Sequence, residues 1–245
     1  MRKFGLIGEH LPHSFSGRYF ADKFERELIS DCEYRLYELA KIEEVEGLLA
    51  MPELEGFNIT IPYKQQIMPY LTQLSPEAEA VGAVNCVKID GEELVGYNTD
   101  IIGLGTSLRD FLDGVAISQA LVLGTGGASL AVEYILRELG IGYRVVSRTP
   151  KEGQGQIAYS DITPDVISEV KFIINATPLG TFPNVETKPD LRYDLLTEDH
   201  YLFDLVYNPA VTKFLELGAA SGAHTCNGEA MLIGQAEAAW EIWNR

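Results

Sequence analysis

Short apolar runs ending near glycine or proline alternate along this chain with stretches whose apolar residues recur at helical spacing. Runs at residues 3–7, 33–39, 56–59, 84–89 and 93–97 predict strands, and periodic stretches at 19–29, 41–51 and 63–71 predict helices. Asp90-Gly91 divides two of these strands, so residues 87–95 are expected to form a hairpin on that turn.

Beyond residue 120 the alternation becomes regular. Strands are predicted at 120–123, 143–147, 171–175 and 201–205, with helices at 128–139 and 228–243. Strands that alternate with helices argue for a parallel, doubly wound sheet. Between Thr149 and Thr163, however, Pro150-Lys151-Glu152-Gly153-Gln154-Gly155-Gln156 carries a proline and two glycines, which argue against a full crossover helix. Thr163-Pro164 then reads as an N-cap and first helical residue. The expected fold class is α/β: an N-terminal α/β unit, a boundary near residues 98–102, and a trimmed, Rossmann-like doubly wound unit after it.

With 245 residues, 46% of them hydrophobic and 22% charged, the chain has the makeup of a globular protein with room for two modest domains. A formal charge of -17 and no visible cluster of Lys and Arg argue against nucleic acid as a partner, and any anionic ligand must meet local positive charge. No run of 18 apolar residues occurs and the first residues read as a strand rather than a leader, so no membrane partner is expected and a cytoplasmic location is. Cys32, Cys86 and Cys226 lie far apart, and no Cys or His spacing suggests a ligand set; free thiols and no metal are expected.

The polar chemistry concentrates in a few places. Asn58-Ile59-Thr60-Ile61-Pro62-Tyr63-Lys64 sets an amide, a hydroxyl and an ammonium where an apolar run meets a proline, a combination suited to a polyhydroxylated ring. Taken alone, Lys64 is a solvated residue early in a helix and Asp100 a helix N-cap. Ser14 and Ser16 would face the same side of an extended segment and together bind a carboxylate; the better-supported alternative has Ser16 capping the following helix while Ser14 binds. His13 reads as structural.

Gly124-Thr125-Gly126-Gly127-Ala128-Ser129 falls between a predicted strand and helix, where backbone amides at a helix N-terminus can approach a pyrophosphate. A dinucleotide site is expected there, against the alternative of a tight turn without a ligand. After the next strand, Ser147-Arg148-Thr149 offers a cation and two hydroxyls where an acidic residue would bind the ribose hydroxyls of NAD. That favours a 2′-phosphate, hence NADP, over an Arg that merely meets solvent, and Lys151 can add a second charge. The segments 175–180 and 204–209 follow strands at their carboxyl ends, where open α/β sheets bind ligands; Asp204 reads as structural. In the closing helix, Leu232, Ala236, Ala239, Trp240 and Trp243 make an apolar stripe, and Gly228, Met231 and Gln235 lie along an adjacent one.

In their order along the chain these motifs resemble the shikimate and quinate dehydrogenase family. The resemblance rests on His-Ser-x-Ser ending at Ser16, Asn-x-Thr-x-Pro-x-Lys from Asn58 to Lys64, Gly-Ala-Val-Asn ending at Asn85, Asn-Thr-Asp ending at Asp100, the glycine-rich turn, and Asn-Ala-Thr-Pro from Asn175, and it runs from Leu6 to Gln235. It implies a substrate-binding catalytic domain of 1–101 plus 226–245, with the closing helix folded back onto it, and an NADP-binding domain of 102–225. It implies that Ser14, Ser16, Asn58, Thr60, Lys64, Asn85, Asp100, Tyr207 and Gln235 contact shikimate, with Lys64 and Asp100 as the catalytic pair. Gly124, Gly126, Gly127, Ala128, Ser147, Arg148, Thr149, Thr177, Leu205, Gly228 and Met231 would contact the cofactor.

The activity so implied is the reversible, NADPH-dependent reduction of 3-dehydroshikimate to shikimate, on the route to chorismate and the aromatic amino acids, by a monomer or homodimer. Two alternatives stand beside it: a quinate and shikimate dehydrogenase using NAD, and a noncatalytic sensor of shikimate or nucleotide, the latter motivated by the shortened nucleotide half. The chain departs from the family pattern at Gly17, where Pro is usual, at Ala230, where Gly is common, in lacking an Arg soon after Arg148-Thr149, and in the short segment after Thr149. The last of these, the largest, bears on cofactor affinity more than on catalysis.

Overall fold

The side chains of β1 (Arg2–Gly8) point alternately to two apolar layers: Phe4 joins one buried cluster and Ile7 the other. In the computed structural model, which describes residues 1–11, 14–151, 153 and 155–245, this strand belongs to a unit made of Met1–Thr99 and Ala236–Arg245; Asp100–Gln235 form a second. His13 lies outside the described residues.

After β1 come α1 (Phe15–Arg26), β2 (Cys32–Glu38), a 3-10 turn at Ile42–Glu44 running into α2 (Val45–Leu49), β3 (Leu54–Ile59), β4 (Gln73–Leu74), α3 (Pro76–Val81), β5 (Cys86–Asp90) and β6 (Glu93–Tyr97). They form a mixed sheet in the order β2-β1-β3-β5-β6-β4, in which β1 runs parallel to β2 and β3, and the expected hairpin β5-β6 adds antiparallel pairs. Ile7, Phe57, Ile59 and Val87 pack with Val45 and Leu48 on one face. On the other, Phe4, Phe20 and Cys86 meet Trp243, which arrives from the closing segment. The Trp243 ring stacks on Phe4 with centroids 4.7 Å apart, and its Nε1 donates to the Val87 carbonyl at 2.9 Å. Gly56 makes room for it, since a Cβ there would stand 2.4 Å from that nitrogen.

Two expectations are overturned in this unit. The stretch 63–71 is a run of turns with a 3-10 segment at Met68–Tyr70, not a helix. The Lys64 carbonyl accepts from Val84 N–H at 2.8 Å and so is withheld from residue 68, and Pro69 has no N–H to continue the ladder. Nor are Ser14 and Ser16 paired in an extended segment, with Ser16 as cap. Helix α1 begins at Phe15, which puts Ser14 at the N-cap position, without a side-chain cap bond, and Ser16 inside the first turn. Ser16 shares a buried stripe with Phe20 and Phe24, and that stripe draws the helix start forward.

In the second unit α4 (Asp100–Phe111) leads into a wholly parallel sheet. Its elements are β7 (Gln119–Leu123), α5 (Gly127–Glu138), β8 (Gly142–Ser147), β9 (Gln156–Ala158), α6 (Pro164–Glu169), β10 (Phe172–Asn175), β11 (Tyr201–Asp204), α7 (Lys213–Ala220), β12 (His224–Cys226) and the part of α8 (Glu229–Trp243) up to Gln235, the rest of that helix belonging to the first unit. The strand order is β12-β11-β10-β7-β8-β9, with Leu121, Ile173, Leu202, Ile167 and Phe214 in its core. Thr163 caps α6 by accepting from Val166 N–H at 3.4 Å, with Pro164 at the first position, as the sequence predicts. Among the described residues no helix stands between β8 and β9, so the sheet ends in a three-residue edge strand paired Val145 to Gln156. Helices α4 and α8 touch through their backbones: a Cβ on Gly103 would lie 2.2 Å from the Met231 carbonyl, and one on Gly234 3.0 Å from the Gly103 Cα.

Candidate active site

In the first unit the polar side chains gather near the carboxyl end of β3. Asn58 is 4% exposed; its Oδ1 accepts from the Tyr34 hydroxyl at 2.9 Å and its Nδ2 donates to the Asn85 carbonyl at 3.3 Å. Asn85 in turn donates to Thr99 Oγ1 at 3.0 Å and accepts from the Thr99 N–H at 2.6 Å, while Asn98 Nδ2 donates to the Ala83 carbonyl at 2.9 Å. These amides spend much of their bonding capacity tying strand ends together, which orders the segment just before Asp100. Burial of its hydroxyl end pushes the Tyr34 phenol well above its ordinary value and keeps it a donor, with Ser16 beside it. Ser16, Tyr34, Asn58 and Asn85 thus form one contiguous patch. Thr60 and Lys64 are half-buried, and the Thr60 N–H is fixed to the end of β1 by the Ile7 carbonyl at 2.9 Å.

The glycine turn of the second unit shows why glycine is used at each place. Gly124 has φ +111°, and a Cβ there would stand 2.9 Å from Thr177 Cγ2 and 3.1 Å from the Ala176 carbonyl. At Gly126 and Gly127 a Cβ would meet nothing within 4 Å. No packing requires those two glycines, so they leave an open cradle. Gly126 is the N-cap of α5 and supplies no side-chain cap bond, so first-turn amides face the cradle with the positive end of the helix dipole behind them. Ala128 is in that first turn, and Ser129 Oγ folds back to the Gly126 carbonyl at 2.6 Å.

From the cradle opens a cavity of about 740 Å³ whose walls include Gly124, Gly126, Ser147, Arg148, Thr149 and Thr177. Ser147 Oγ accepts from the Thr149 N–H at 3.2 Å and shapes that corner. Arg148 is exposed at the mouth and makes no ion pair among the described residues. A pyrophosphate at the helix N-terminus and a 2′-phosphate near Arg148 fit the donors present.

The loops after β10 and β11 are held by one buried carboxylate. Asp204 Oδ1 accepts from Asn175 Nδ2 at 2.9 Å and from the Val206 N–H at 3.0 Å, and Oδ2 accepts from Thr212 Oγ1 at 2.5 Å. Asn175 Oδ1 in turn accepts from Thr177 Oγ1 at 2.6 Å, so the Thr177 side chain that lines the cavity is oriented through Asp204. Burial pushes the Asp204 carboxyl up to about 6. Leu205 and Tyr207 follow, both half-buried. Gly228 lies against the same loop, where a Cβ would be 2.3 Å from the Leu205 carbonyl, so its glycine has a packing explanation.

Met231 and Gln235 are buried on α8, with Gln235 Nε2 donating to the Leu232 carbonyl at 3.0 Å; Asp100 is buried as the first residue of α4. Ser14, Ser16, Asn58, Thr60, Lys64 and Asn85 belong to the first unit, and Asp100, Tyr207, Gln235 and the cradle residues to the second. The cavity also has walls that no sequence motif marks: Tyr159 and Ser160 from a 3-10 turn after β9, and Lys188 and Asp190 from the long segment before β11. They sit in irregular stretches without periodicity. Among the described residues no cluster of His, Cys, Asp and Glu suited to a metal occurs, and no helix is long and apolar enough to cross a membrane.

An uncapped helix N-terminus over an open glycine cradle, on a parallel sheet, defines a dinucleotide-binding Rossmann-like unit. Residues 6–87 match the family model described as the shikimate dehydrogenase substrate binding domain. Over 252 residues the chain is 38% identical to shikimate dehydrogenase (NADP(+)) of Clostridium beijerinckii, covering 99% of this chain and 92% of that one. Among solved structures, shikimate 5-dehydrogenase from Thermus thermophilus in complex with NADP(H) and shikimate is 32% identical with a TM-score of 0.86, covering 99% of this chain and 93% of the other. Quinate dehydrogenase from Corynebacterium glutamicum in complex with NAD is 28% identical with a TM-score of 0.89, at the same coverages. The chain belongs to the shikimate dehydrogenase family.

Proposed function

We propose that Lys64 and Asp100 are the catalytic pair of an enzyme that reversibly reduces 3-dehydroshikimate to shikimate. The protein is an NADP-dependent oxidoreductase acting on a CH–OH group, a shikimate dehydrogenase serving chorismate and aromatic amino acid biosynthesis. The observation that carries the cofactor assignment is the cradle of Gly126 and Gly127 opening into a cavity that Arg148 lines. When bound, NADPH supplies a hydride from its nicotinamide to the ring carbonyl carbon. Lys64 Nζ then delivers a proton to the oxygen as it becomes an alkoxide and stabilises the charge that develops there. Asp100 orients the substrate hydroxyl.

Ser14 and Ser16 would take the substrate carboxylate, and Asn58, Thr60, Asn85, Tyr207 and Gln235 the ring hydroxyls; the cradle residues, Ser147, Arg148, Thr149, Thr177, Leu205, Gly228 and Met231 would take the cofactor. This assigns substrate binding to 1–101 with 226–245 and NADP binding to 102–225, in a cytoplasmic monomer or homodimer. The test follows nicotinamide absorbance while the protein oxidises shikimate with NADP or NAD. Lys64→Ala should lower kcat by about 10²- to 10⁴-fold with an unchanged melting temperature. Shikimate binding without turnover by either nucleotide would instead make the protein a sensor. The likeness to an NAD-bound quinate dehydrogenase supports a second reading, quinate oxidation with NAD, which assays of both polyols with both nucleotides separate.

A further inference from the structure

The cavity of the second unit is walled in part by Tyr159 and Ser160, from the turn at Tyr159–Asp161, and by Lys188 and Asp190. Lys188 lines the same cavity as Arg148. Its ammonium stands 5.5 Å from the centroid of the Tyr193 ring, and it makes no ion pair among the described residues. The Tyr159 phenol feels the charges of Arg148 and Asp190, and the Tyr193 phenol that of Asp190. Arg148, Tyr159 and Lys188 thus line one cavity, with Tyr193 against Lys188, beyond the carboxyl end of β8, where the adenosine 2′-phosphate of a dinucleotide lies in this fold.

The charge at this corner runs against that of the molecule. Among the described residues, two cations and a single carboxylate, Asp190, line the cavity of a chain whose net charge is -17. Lys151, which the sequence offers as a second charge, is exposed and does not line it. We propose that Lys188 is a second cation for the 2′-phosphate of NADP, so that preference for NADP over NAD is shared between Arg148 and a residue delivered from the segment before β11. The proposal rests on NADP being the cofactor. The second charge that Lys151 does not bring to the cavity is thereby supplied by another part of the fold.

Calorimetric titration of NADP, NAD and adenosine 2′,5′-bisphosphate into wild type, Lys188→Ala and Lys188→Arg tests this. Lys188 is exposed, so both variants should melt with the wild type. Lys188→Ala should weaken NADP and the bisphosphate by about 5- to 30-fold and NAD by less than about twofold, and Lys188→Arg should recover most of the loss. Equal losses for NADP and NAD, or no loss for either, overturn the assignment. A wild type that binds NADP no tighter than NAD overturns the cofactor reading itself; a wild-type preference for NADP that survives Lys188→Ala overturns only the role of Lys188.

Discussion

Two glycines of one turn are constrained by different things, and substitution separates them. Gly124 has a left-handed φ and close neighbours in Ala176 and Thr177, so Gly124→Ala should lose about 1–3 kcal/mol of stability. Gly127 is the first residue of α5 and faces open space. There an added methyl favours the helix, and Gly127→Ala should hold or raise stability by up to about 1 kcal/mol. It should nevertheless weaken NADP binding by about tenfold or more, because the methyl occupies the place of the pyrophosphate. Urea melts and NADP titrations of the two variants read both effects, and a Gly127→Ala protein that binds NADP like the wild type would remove the cradle from the site.

At the scale of elements, Asp204 is the joint between two strand ends. Its hydrogen-bond partners, the Thr212 hydroxyl, the Val206 N–H and the Asn175 amide, are all neutral, and burial outweighs them. The carboxyl therefore has a folded value of about 6 against an ordinary 3.8, and the folded state binds this proton more tightly than the unfolded chain. Its favourable contribution is full below about pH 4 and is lost as the pH rises to about 6, an amount on the order of 2–3 kcal/mol. A series of urea melts across that window should show the falling slope in the wild type and not in Asp204→Asn; parallel slopes would refute it.

Elements with a local cause are legible in the sequence. The apolar runs of β1 and β7, the periodic face of α5 and the Thr163-Pro164 start of α6 each carry their own signal. Residues 63–71 are not legible, because a backbone bond from the distant Val84 takes the carbonyl a helix would need. The start of α1 is hidden for a related reason: what fixes it is the burial of Ser16 with Phe20, a tertiary event. At the site, the glycine cradle and Arg148 carry motif chemistry that sequence reveals, whereas Tyr159 and Lys188 come to line one cavity only when irregular segments meet at the end of a trimmed sheet.

For the molecule as a whole, the two units differ in continuity. Asp100–Gln235 is one stretch of chain, while the first unit needs Ala236–Arg245 to complete its core. Trp243→Ala removes a buried ring that stacks on Phe4 and bonds Val87, and should destabilise the first unit by about 3–5 kcal/mol. Hydrogen exchange should show β1 and β3 losing protection while β7 and β10 keep theirs; uniform loss over both sheets would contradict that division.

The same division sets an order on synthesis. A ribosome delivers β1 to β6 first, yet the indole that fills the space over Gly56 comes after every residue of the parallel sheet. The earlier-made half must wait with an unfinished core while the later-made half, contiguous and complete by Gln235, can close around its own strands. Birth order and completion order are reversed in this chain, and the nascent N-terminal strands are the ones that a chaperone would have most time to meet.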